Sequence, residues 1–322
     1  MYGLNRFISL SKVSLQACRQ ARIRKYSCEK SKHIYTQHQM IAIVCLMKYT
    51  KSHYRDTIDL IEPMEPIKSM LDLNHLPHFT TIQKFVRRFG EAKIERLIRS
   101  LIKNHRESIL AVDASGFSSD YASRYYTFRI KGETFAKHYV KNSICIDVFG
   151  QKIVSAIVSI GPKNDTRDFI PVLEKSPTRP VVVVADKGYD SEANHKFVNS
   201  LRSVSMIPIK SNVHHGLYRK KMQKRFSELI YHKRCLVETV FSVMKRKFGG
   251  SVYARSDEMR IKEVCWINFV YNLHRQVVIS ISCLWMFSTE PIFERYLYAV
   301  LNDLNDSSKQ ESALKIAISR VG

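Results

Sequence analysis

Residues 231–245 read YHKRCLVETVFSVMK. Neither proline nor glycine occurs between Phe226 and Phe248, and the pair Gly249-Gly250 follows directly. Glycine commonly ends helices, whereas the residues before it are compatible with helical backbone. The sequence therefore predicts one helix over residues 226–248.

Four polar residues of this predicted helix share one stripe. A step of seven residues is about 20° short of two full turns, so Tyr231, Glu238 and Lys245 align, with Arg234 on the same face. The neighbouring face is apolar, which is typical of a helix packed inside a domain. The stripe is a candidate site, although Arg–Glu and Glu–Lys pairs at this spacing are also common on solvated helices.

The charge balance indicates the class of partner. The chain has 322 residues, with 52 Lys and Arg against 29 Asp and Glu, and a formal net charge of +23. Such an excess favours a polyanion, nucleic acid above all, over small neutral substrates. The seven cysteines have no metal-binding spacing, which suits a reducing interior. The most apolar run, residues 277–287, is far shorter than the roughly 20 residues of a membrane-spanning helix, so we expect no membrane association.

The first 30 residues are rich in Arg and Lys, contain one acid, Glu29, and lack the apolar block of a secretory signal. We interpret residues 1–35 as a flexible basic arm that contacts nucleic acid, with an organellar transit peptide as the alternative. The expected location is the cytoplasm, at the nucleoid, or an organelle or the nucleus if the host is a eukaryote.

Residues 36–105 are expected to form a helical DNA-binding domain. Thr36 is a suitable N-cap for a helix that begins at Gln37. Residues 78–89 alternate apolar positions with a basic outer face, formed by Lys84, Arg87 and Arg88. Such a helix is either a DNA recognition helix or an ordinary surface helix.

From Ser108 onward the pattern is typical of strands. Residues 109–113 are four apolar residues followed by Asp113, and residues 180–186 contain four consecutive valines before Asp186. The order of elements predicts an α/β fold with antiparallel strands first and strand–helix units later. Ligands of α/β sheets bind beyond the carboxyl ends of strands, where we expect both aspartates to lie.

Three carboxylates, Asp113, Asp186 and Glu238, would repel one another if they were brought together without a cation. Mg²⁺ and Mn²⁺ prefer oxygen ligands, and two such ions about 3.5–4 Å apart catalyse phosphodiester cleavage in many enzymes. We therefore expect two Mg²⁺ or Mn²⁺ ions at these acids. Asp147, Asp165 and Asp168 are alternative acids nearby.

The segment before the predicted helix, residues 210–225, is strongly basic and contains no acid. We interpret it as a contact to the DNA backbone, with an affinity that falls steeply with salt. Its basic residues are Lys210, Arg219, Lys220, Lys221, Lys224 and Arg225.

The motifs together resemble those of insertion-sequence transposases of the DDE type. The Tyr-x2-Arg-x3-Glu-x6-Lys signature of that family is matched without deviation by Tyr231, Arg234, Glu238 and Lys245. Residues 186–191, DKGYDS, resemble the family's second-aspartate motif, and residues 112–115, VDAS, resemble the first. The similarity extends over roughly residues 36–275.

The resemblance implies a ribonuclease-H-like mixed sheet flanked by helices, in which Asp113, Asp186 and Glu238 are the catalytic residues and metal ligands. It implies metal-dependent cleavage at transposon ends, followed by attack of a terminal 3′-hydroxyl on target DNA. The expected partners are double-stranded DNA, as terminal inverted repeats and as target, and a second copy of the chain in a homodimeric synaptic complex.

Roles follow for the remaining signature residues. Arg234 and Lys245 are expected to contact phosphates, and Tyr231 to hydrogen-bond a phosphate near the scissile bond. Lys187, directly after the second aspartate, is a further candidate for DNA contact.

The expected domains are the basic arm (1–35), the helical DNA-binding domain (36–105), the catalytic domain (106–275) and a C-terminal tail (276–322) whose order the sequence does not decide. Two alternative functions stay open from the residues alone. One is a structure-selective nuclease on the same fold, and the other is a domesticated DNA-binding protein without catalysis.

Overall fold

One mixed sheet forms the centre of the computed structural model, which describes residues 5–102, 108–119, 139–211 and 215–287. The sheet has the order β3-β2-β1-β4-β5, and β6 pairs with β1. Strand β1 is antiparallel to β2 and parallel to β4, and β4 is parallel to β5. The strands are β1 (Ser108–Ser119), β2 (Tyr139–Asp147), β3 (Lys152–Ile160), β4 (Pro180–Ala185), β5 (Val204–Met206) and β6 (Ser251–Val252).

Alternating side chains divide the sheet into two buried faces, because successive residues of a strand point to opposite sides. Leu110 and Val112 of β1 lie in one apolar cluster, and Ala111 and Phe117 lie in the other. Helices cover both faces. The expected mixed α/β sheet flanked by helices is confirmed.

The helices before the sheet are α1 (Arg6–Gln20), α2 (Gln37–Thr50), α3 (Tyr54–Ile61), α4 (Glu65–Met70), α5 (Phe79–Arg88) and α6 (Glu91–Ser100). Those that follow are α7 (Thr166–Glu174), α8 (Glu192–Ser200), α9 (Leu217–Gln223), α10 (Glu228–Tyr231), α11 (Cys235–Phe248) and α12 (Asp257–Phe287). The predicted cap of α2 is confirmed, since Gln39 N donates to Thr36 Oγ1 at 3.1 Å.

The N-terminal region differs from the expected flexible arm. Residues 6–20 form helix α1, which buries Leu10, Ala17 and Cys18 and contacts α2 and α6. The arm was inferred from its charge, but the apolar residues between the basic ones give α1 a face to bury. Helices α1 to α6 share one apolar cluster with α11 and α12 on one side of the sheet.

Helix α12 is attached to the sheet by two buried asparagines. Asn268 and Asn142 exchange side-chain hydrogen bonds of 2.7 and 3.0 Å. Asn272 accepts from Ile153 N at 2.8 Å and donates to Ile153 O at 2.7 Å. The bonds of Asn272 lie next to a shift in the β2–β3 register, between Cys145 and Ile146. Asn272 thus satisfies backbone groups where the ladder is disturbed.

The predicted helix over residues 226–248 is divided in the structure. It consists of α10, a 3-10 turn at His232–Arg234, and α11. The chain up to Gln276 forms one compact unit, and a second begins at Val277, of which the end of α12 is described. The expected tail, residues 276–322, lies largely outside the described residues. No helix among the described residues has the length and apolar character needed to cross a membrane.

Candidate active site

The two aspartates lie side by side on neighbouring parallel strands. The register pairs Ala111 with Val184 and Val112 with Ala185, so Asp113 and Asp186 follow as the next neighbours. Ala111 and Val184 belong to the same apolar cluster, and two residues later both aspartates occupy that face. This placement puts the two carboxylates at the carboxyl end of β4.

Asp113 is not at the end of its own strand, contrary to the expectation from the apolar run. Strand β1 continues to Ser119, because residues beyond Asp113 pair with β2 and, at Ser118 and Ser119, with β6. Each aspartate accepts a hydrogen bond of 2.8 Å from the next amide, Ala114 N for Asp113 and Lys187 N for Asp186. These bonds orient both carboxylates in the same way relative to their strands.

The third acid approaches from the helix that covers this face. The 3-10 turn before α11 contacts both β1 and β4, the strands of the two aspartates. Val237 and Phe241 of α11 are buried in the cluster under the sheet. Glu238, one residue after Val237, remains 55% exposed. The three acids therefore come from adjoining elements on one side of the sheet.

The electrostatics of Asp113 show that the acids interact. Burial raises the pKa of Asp113 to about 6, although the Ala114 amide and the charge of Arg234 lower it. The negative charges of Asp186 and Glu238 raise this pKa further. A half-buried carboxylate that feels two others indicates a site deficient in positive charge.

Arg234 supplies part of the missing positive charge. Its Nη1 donates to Glu238 Oε1 at 2.6 Å, one turn further along the helix. Burial opposes the charge of Arg234, but Glu238, Tyr231 and Asp186 together outweigh burial and raise its pKa. Burial also raises the pKa of Tyr231, and the interactions of this phenol with Arg234 and Asp186 modify it in opposite directions. Arg234 and Tyr231 thus lie among the carboxylates.

The three acids are suited to a divalent ion by their chemistry, but they do not form a finished ligand set. Within the described ranges, no group of three His, Cys, Asp or Glu side chains is close enough to hold a metal. Glu238 is instead paired with Arg234. Oxygen donors with uncompensated negative charge are the ligands that Mg²⁺ and Mn²⁺ prefer, so the residues fit such an ion once Glu238 is released.

The remaining signature residues also border this face. Lys245 Nζ lies 5.8 Å from the ring centroid of Phe117, four residues beyond Asp113 on the same face of β1. Lys187, directly after Asp186, is exposed. The structure thus brings Tyr231, Arg234 and Glu238 to the aspartates, with Lys245 further along β1.

The alternative acids are engaged elsewhere. Lys141, almost fully buried, pairs with Asp165 at 2.7 Å and Asp168 at 2.8 Å, and Asp147 accepts from Gly150 N at 2.7 Å. The role of Lys141 could not be inferred from the sequence, because a single lysine in a strand gives no signal of its distant acid partners. This cluster nevertheless lies near the site, since burial and then the charges of Asp113, Asp165, Asp168 and Asp186 raise the pKa of Tyr189.

The predicted DNA-contacting residues fall into two groups. Lys84, Arg87 and Arg88 are exposed on α5, and Lys220 and Lys221 are exposed on α9. Arg219 differs, because its Nε donates to the buried carboxylate of Asp190 at 2.7 Å. Apolar Ile82, Phe85 and Val86 bury the opposite face of α5, as the sequence predicted.

Comparison with known proteins identifies the family. The family model described as "Transposase DDE domain" matches residues 104–273, which is more than half of the chain. A comparison with curated proteins finds no match. Enzymes of this family generally use divalent metal ions.

Two solved structures are similar at low identity. A piggyBac transposase synaptic complex with hairpin DNA is 11% identical, with 94% of this chain and 83% of that chain covered and a TM-score of 0.45. A pre-cleavage Mos1 transpososome is 10% identical, with 80% and 81% covered and a TM-score of 0.20. The family is shown by the model that matches residues 104–273. The chain therefore belongs to the family of transposases with a DDE domain.

Proposed function

We propose that this enzyme is a DNA transposase that cleaves at the ends of its element and transfers the 3′-hydroxyl into target DNA, with Asp113, Asp186 and Glu238 as catalytic residues. The observation that carries the proposal is the register of β1 and β4. It places two acids of the family motifs next to each other, under the helix that bears the third. The family match favours this activity over the alternatives of a structure-selective nuclease and a non-catalytic binding protein.

Asp113 and Asp186 would hold Mg²⁺ or Mn²⁺, with Glu238 as a further ligand. Two bound ions would activate the attacking oxygen and stabilise the leaving oxygen of the phosphodiester. The amide bonds to Asp113 and Asp186 keep one oxygen of each carboxylate oriented. The half-buried position of Asp113 limits competition from water.

The cations around the acids would bind the phosphates of the substrate. Arg234 offers a planar guanidinium that suits bidentate contact with a phosphate, and Tyr231 offers a hydroxyl beside Asp186. Lys245, near Phe117 of β1, and the exposed Lys187, next to Asp186, would contact the backbone on either side of the scissile bond. Their positive charge would hold the DNA in place while the acids hold the ions.

Double-stranded DNA is the proposed partner, as terminal inverted repeats and as target. The exposed basic face of α5 and the exposed lysines of α9 would contact its backbone, in agreement with the net charge of +23. Synapsis of two ends requires two copies of the chain, so a homodimer is part of the proposal. Residues 36–105 would recognise the ends, and residues 106–275 would catalyse.

The proposal is tested by cleavage of a plasmid that carries the sequences flanking this gene. Purified protein with Mn²⁺ or Mg²⁺ should nick the DNA at the element ends and join them to a target. Asp186→Asn should lower the rate at least a thousandfold while DNA binding persists. Glu174→Gln, at an exposed acid of helix α7 on the opposite face of the sheet, is the matched control and should cleave like the parent. Equal cleavage by Asp186→Asn and the parent would refute the proposed site.

A further inference from the structure

A buried polar network lies beside the turn that carries Asp186. Its centre is Asp190, whose side chain is 0% exposed. Asp190 Oδ1 accepts from Arg219 Nε at 2.7 Å and contacts His195 Nε2 at 3.1 Å, and Oδ2 accepts from Lys210 N at 2.9 Å. Both oxygens are thus used, by partners from three different segments of the chain.

His195 extends the network to the sheet. Its Nδ1 lies 2.7 Å from Ser205 Oγ on β5, and burial lowers its pKa against the opposing effect of Asp190, so the ring is neutral at pH 7. Because a carboxylate can only accept, Nε2–H donates to Asp190, and Nδ1 accepts from the hydroxyl. The order Ser–His–Asp resembles a hydrolase triad, but Ser205 is 6% exposed and His195 is 1% exposed. No substrate reaches such a hydroxyl, so the network is structural.

A second acid fixes the start of helix α9. Glu192 Oε1 accepts from Tyr218 N at 2.9 Å, and Glu192 Oε2 accepts from Arg219 N at 3.3 Å. Gly216 has φ +127°, and a Cβ there would lie 2.2 Å from Glu192 Oε2. The close approach of Glu192 to the backbone therefore needs glycine at this position. Helix α9 is held at its first turn by two acids from the segment 190–192.

The same segment is joined directly to the second aspartate. Asp190 follows Asp186 across the 3-10 turn Lys187–Tyr189, in which Tyr189 N donates to Asp186 O at 2.9 Å and Asp190 N donates to Lys187 O at 3.1 Å. The short turn thus joins the proposed metal ligand, Asp186, to Asp190, which binds α9. On α9, Arg219 points to Asp190, whereas Lys220 and Lys221 are exposed.

We propose that Asp190 and Arg219 are positioning residues, which hold the basic helix α9 in fixed register with the Asp186 turn so that its exposed lysines and the residues after them contact the DNA backbone. This proposal rests on the proposed function, because the DNA that α9 would contact is the substrate of the transposase. Arg219 then contributes no phosphate contact of its own. Its charge balances Asp190, and burial of that carboxylate is tolerated because both of its oxygens accept hydrogen bonds.

The direction in which one substitution changes the affinity for DNA distinguishes this positioning role from a purely coulombic effect. Asp190→Asn removes a negative charge from the neighbourhood of the DNA, so a purely coulombic effect would tighten binding. A positioning role predicts weaker binding, because the amide no longer balances Arg219 and α9 loses its fixed place. We expect Asp190→Asn to weaken binding of a labelled random-sequence duplex at least fivefold at low salt and to reduce the slope of log affinity against log salt.

Arg219→Gln and Lys224→Gln form a matched pair of variants, which tests the positioning role even if Asp190→Asn does not fold. Each loses one cation from the same segment, but Lys224 is exposed whereas Arg219 is 14% exposed and bound to Asp190. In the free protein, hydrogen exchange over residues 217–223 should be at least tenfold faster in Arg219→Gln than in the parent. Lys224→Gln should exchange like the parent and lose about one unit of salt slope.

Unchanged exchange in Arg219→Gln, or tighter DNA binding by Asp190→Asn, would overturn the positioning role. Both measurements are made without cleavage. Failure of the parent to cut element ends would therefore count against the proposed function alone, and failure of these variants to differ would count against the positioning role alone.

Discussion

Arg234 explains how three carboxylates tolerate one another in the free protein. Its guanidinium is bound to Glu238 at 2.6 Å and also interacts with Asp113 and Asp186. A single cation therefore occupies the electrostatic position that a divalent ion would take. On metal binding, the same guanidinium would be released toward a substrate phosphate.

We predict that Arg234 competes with the metal ion for the carboxylates. Arg234→Gln should bind Mn²⁺ about tenfold more tightly than the parent in the absence of DNA, because one positive charge near the ion is removed. Electron paramagnetic resonance of free Mn²⁺ measures this directly. Arg246→Gln, at an exposed position of helix α11, should leave the affinity unchanged. Equal or weaker Mn²⁺ binding by Arg234→Gln would contradict the competition.

The residues of the site were predictable to different degrees. Asp113 and Asp186 each follow an apolar run, so their approach to one sheet edge could be inferred from the sequence. The inward orientation of Arg219 could not be inferred, because it depends on Asp190, which is distant in sequence and belongs to another element. A basic run looks the same whether its members face solvent or a buried acid.

At the scale of elements, the strand boundaries show where periodicity fails. The sequence predicts a strand ending at Asp113, since residues 114–119 read ASGFSS and lack apolar alternation. Strand β1 continues through them because β2 and β6 supply backbone partners. The division of the predicted helix at His232–Arg234 is likewise set by packing, since this turn contacts β1 and β4.

The attachment of helix α12 to the sheet should contribute to the stability of the protein. Asn272→Ala should lower the free energy of unfolding by about 3 kcal/mol, since the N–H and C=O of Ile153 lose a buried partner. Urea denaturation followed by circular dichroism measures the change. Asn199→Ala, at an exposed asparagine of helix α8, should cost less than about 1 kcal/mol. A similar cost for both substitutions would show that Asn272 does not support the sheet.

At the scale of the molecule, the N-terminal helices and the sheet share one core. Helices α1 to α6 belong to the same apolar cluster as α11 and α12. His274 lies at this junction, with its ring 5.8 Å from that of Tyr49 on α2 and 6.2 Å from that of Phe248 on α11. The boundary at residue 105 between a DNA-binding and a catalytic domain stays a prediction about function, because packing continues across it.

Protonation of His274 at this junction should lower the stability of the folded protein at acidic pH. Burial lowers the pKa of His274 to about 4, and the charges of Lys247, Arg275 and Arg6 lower it as well. The unfolded state then binds the proton first, so this contribution to stability is present above the unfolded pKa of about 6.5 and is lost as pH falls toward 4. Unfolding free energy should therefore fall less steeply over this interval in His274→Phe than in the parent.

Phenylalanine keeps the aromatic contacts, and His274 Nδ1 has no hydrogen-bond partner to lose. Urea midpoints at several pH values between 7 and 4 provide the measurement. Parallel curves for the parent and His274→Phe would show that the protonation of His274 is not coupled to folding.

The proposed mechanism requires that Asp113, Asp186 and Glu238 hold the metal ions of a DNA transposase. Anomalous X-ray scattering from crystals of the protein with Mn²⁺ and cleaved end DNA would locate these ions. We predict anomalous peaks within about 2.5 Å of the carboxylate oxygens of Asp113 and Asp186, with Glu238 detached from Arg234. Mn²⁺ bound away from these aspartates, in crystals whose protein cleaves DNA, would contradict the claim.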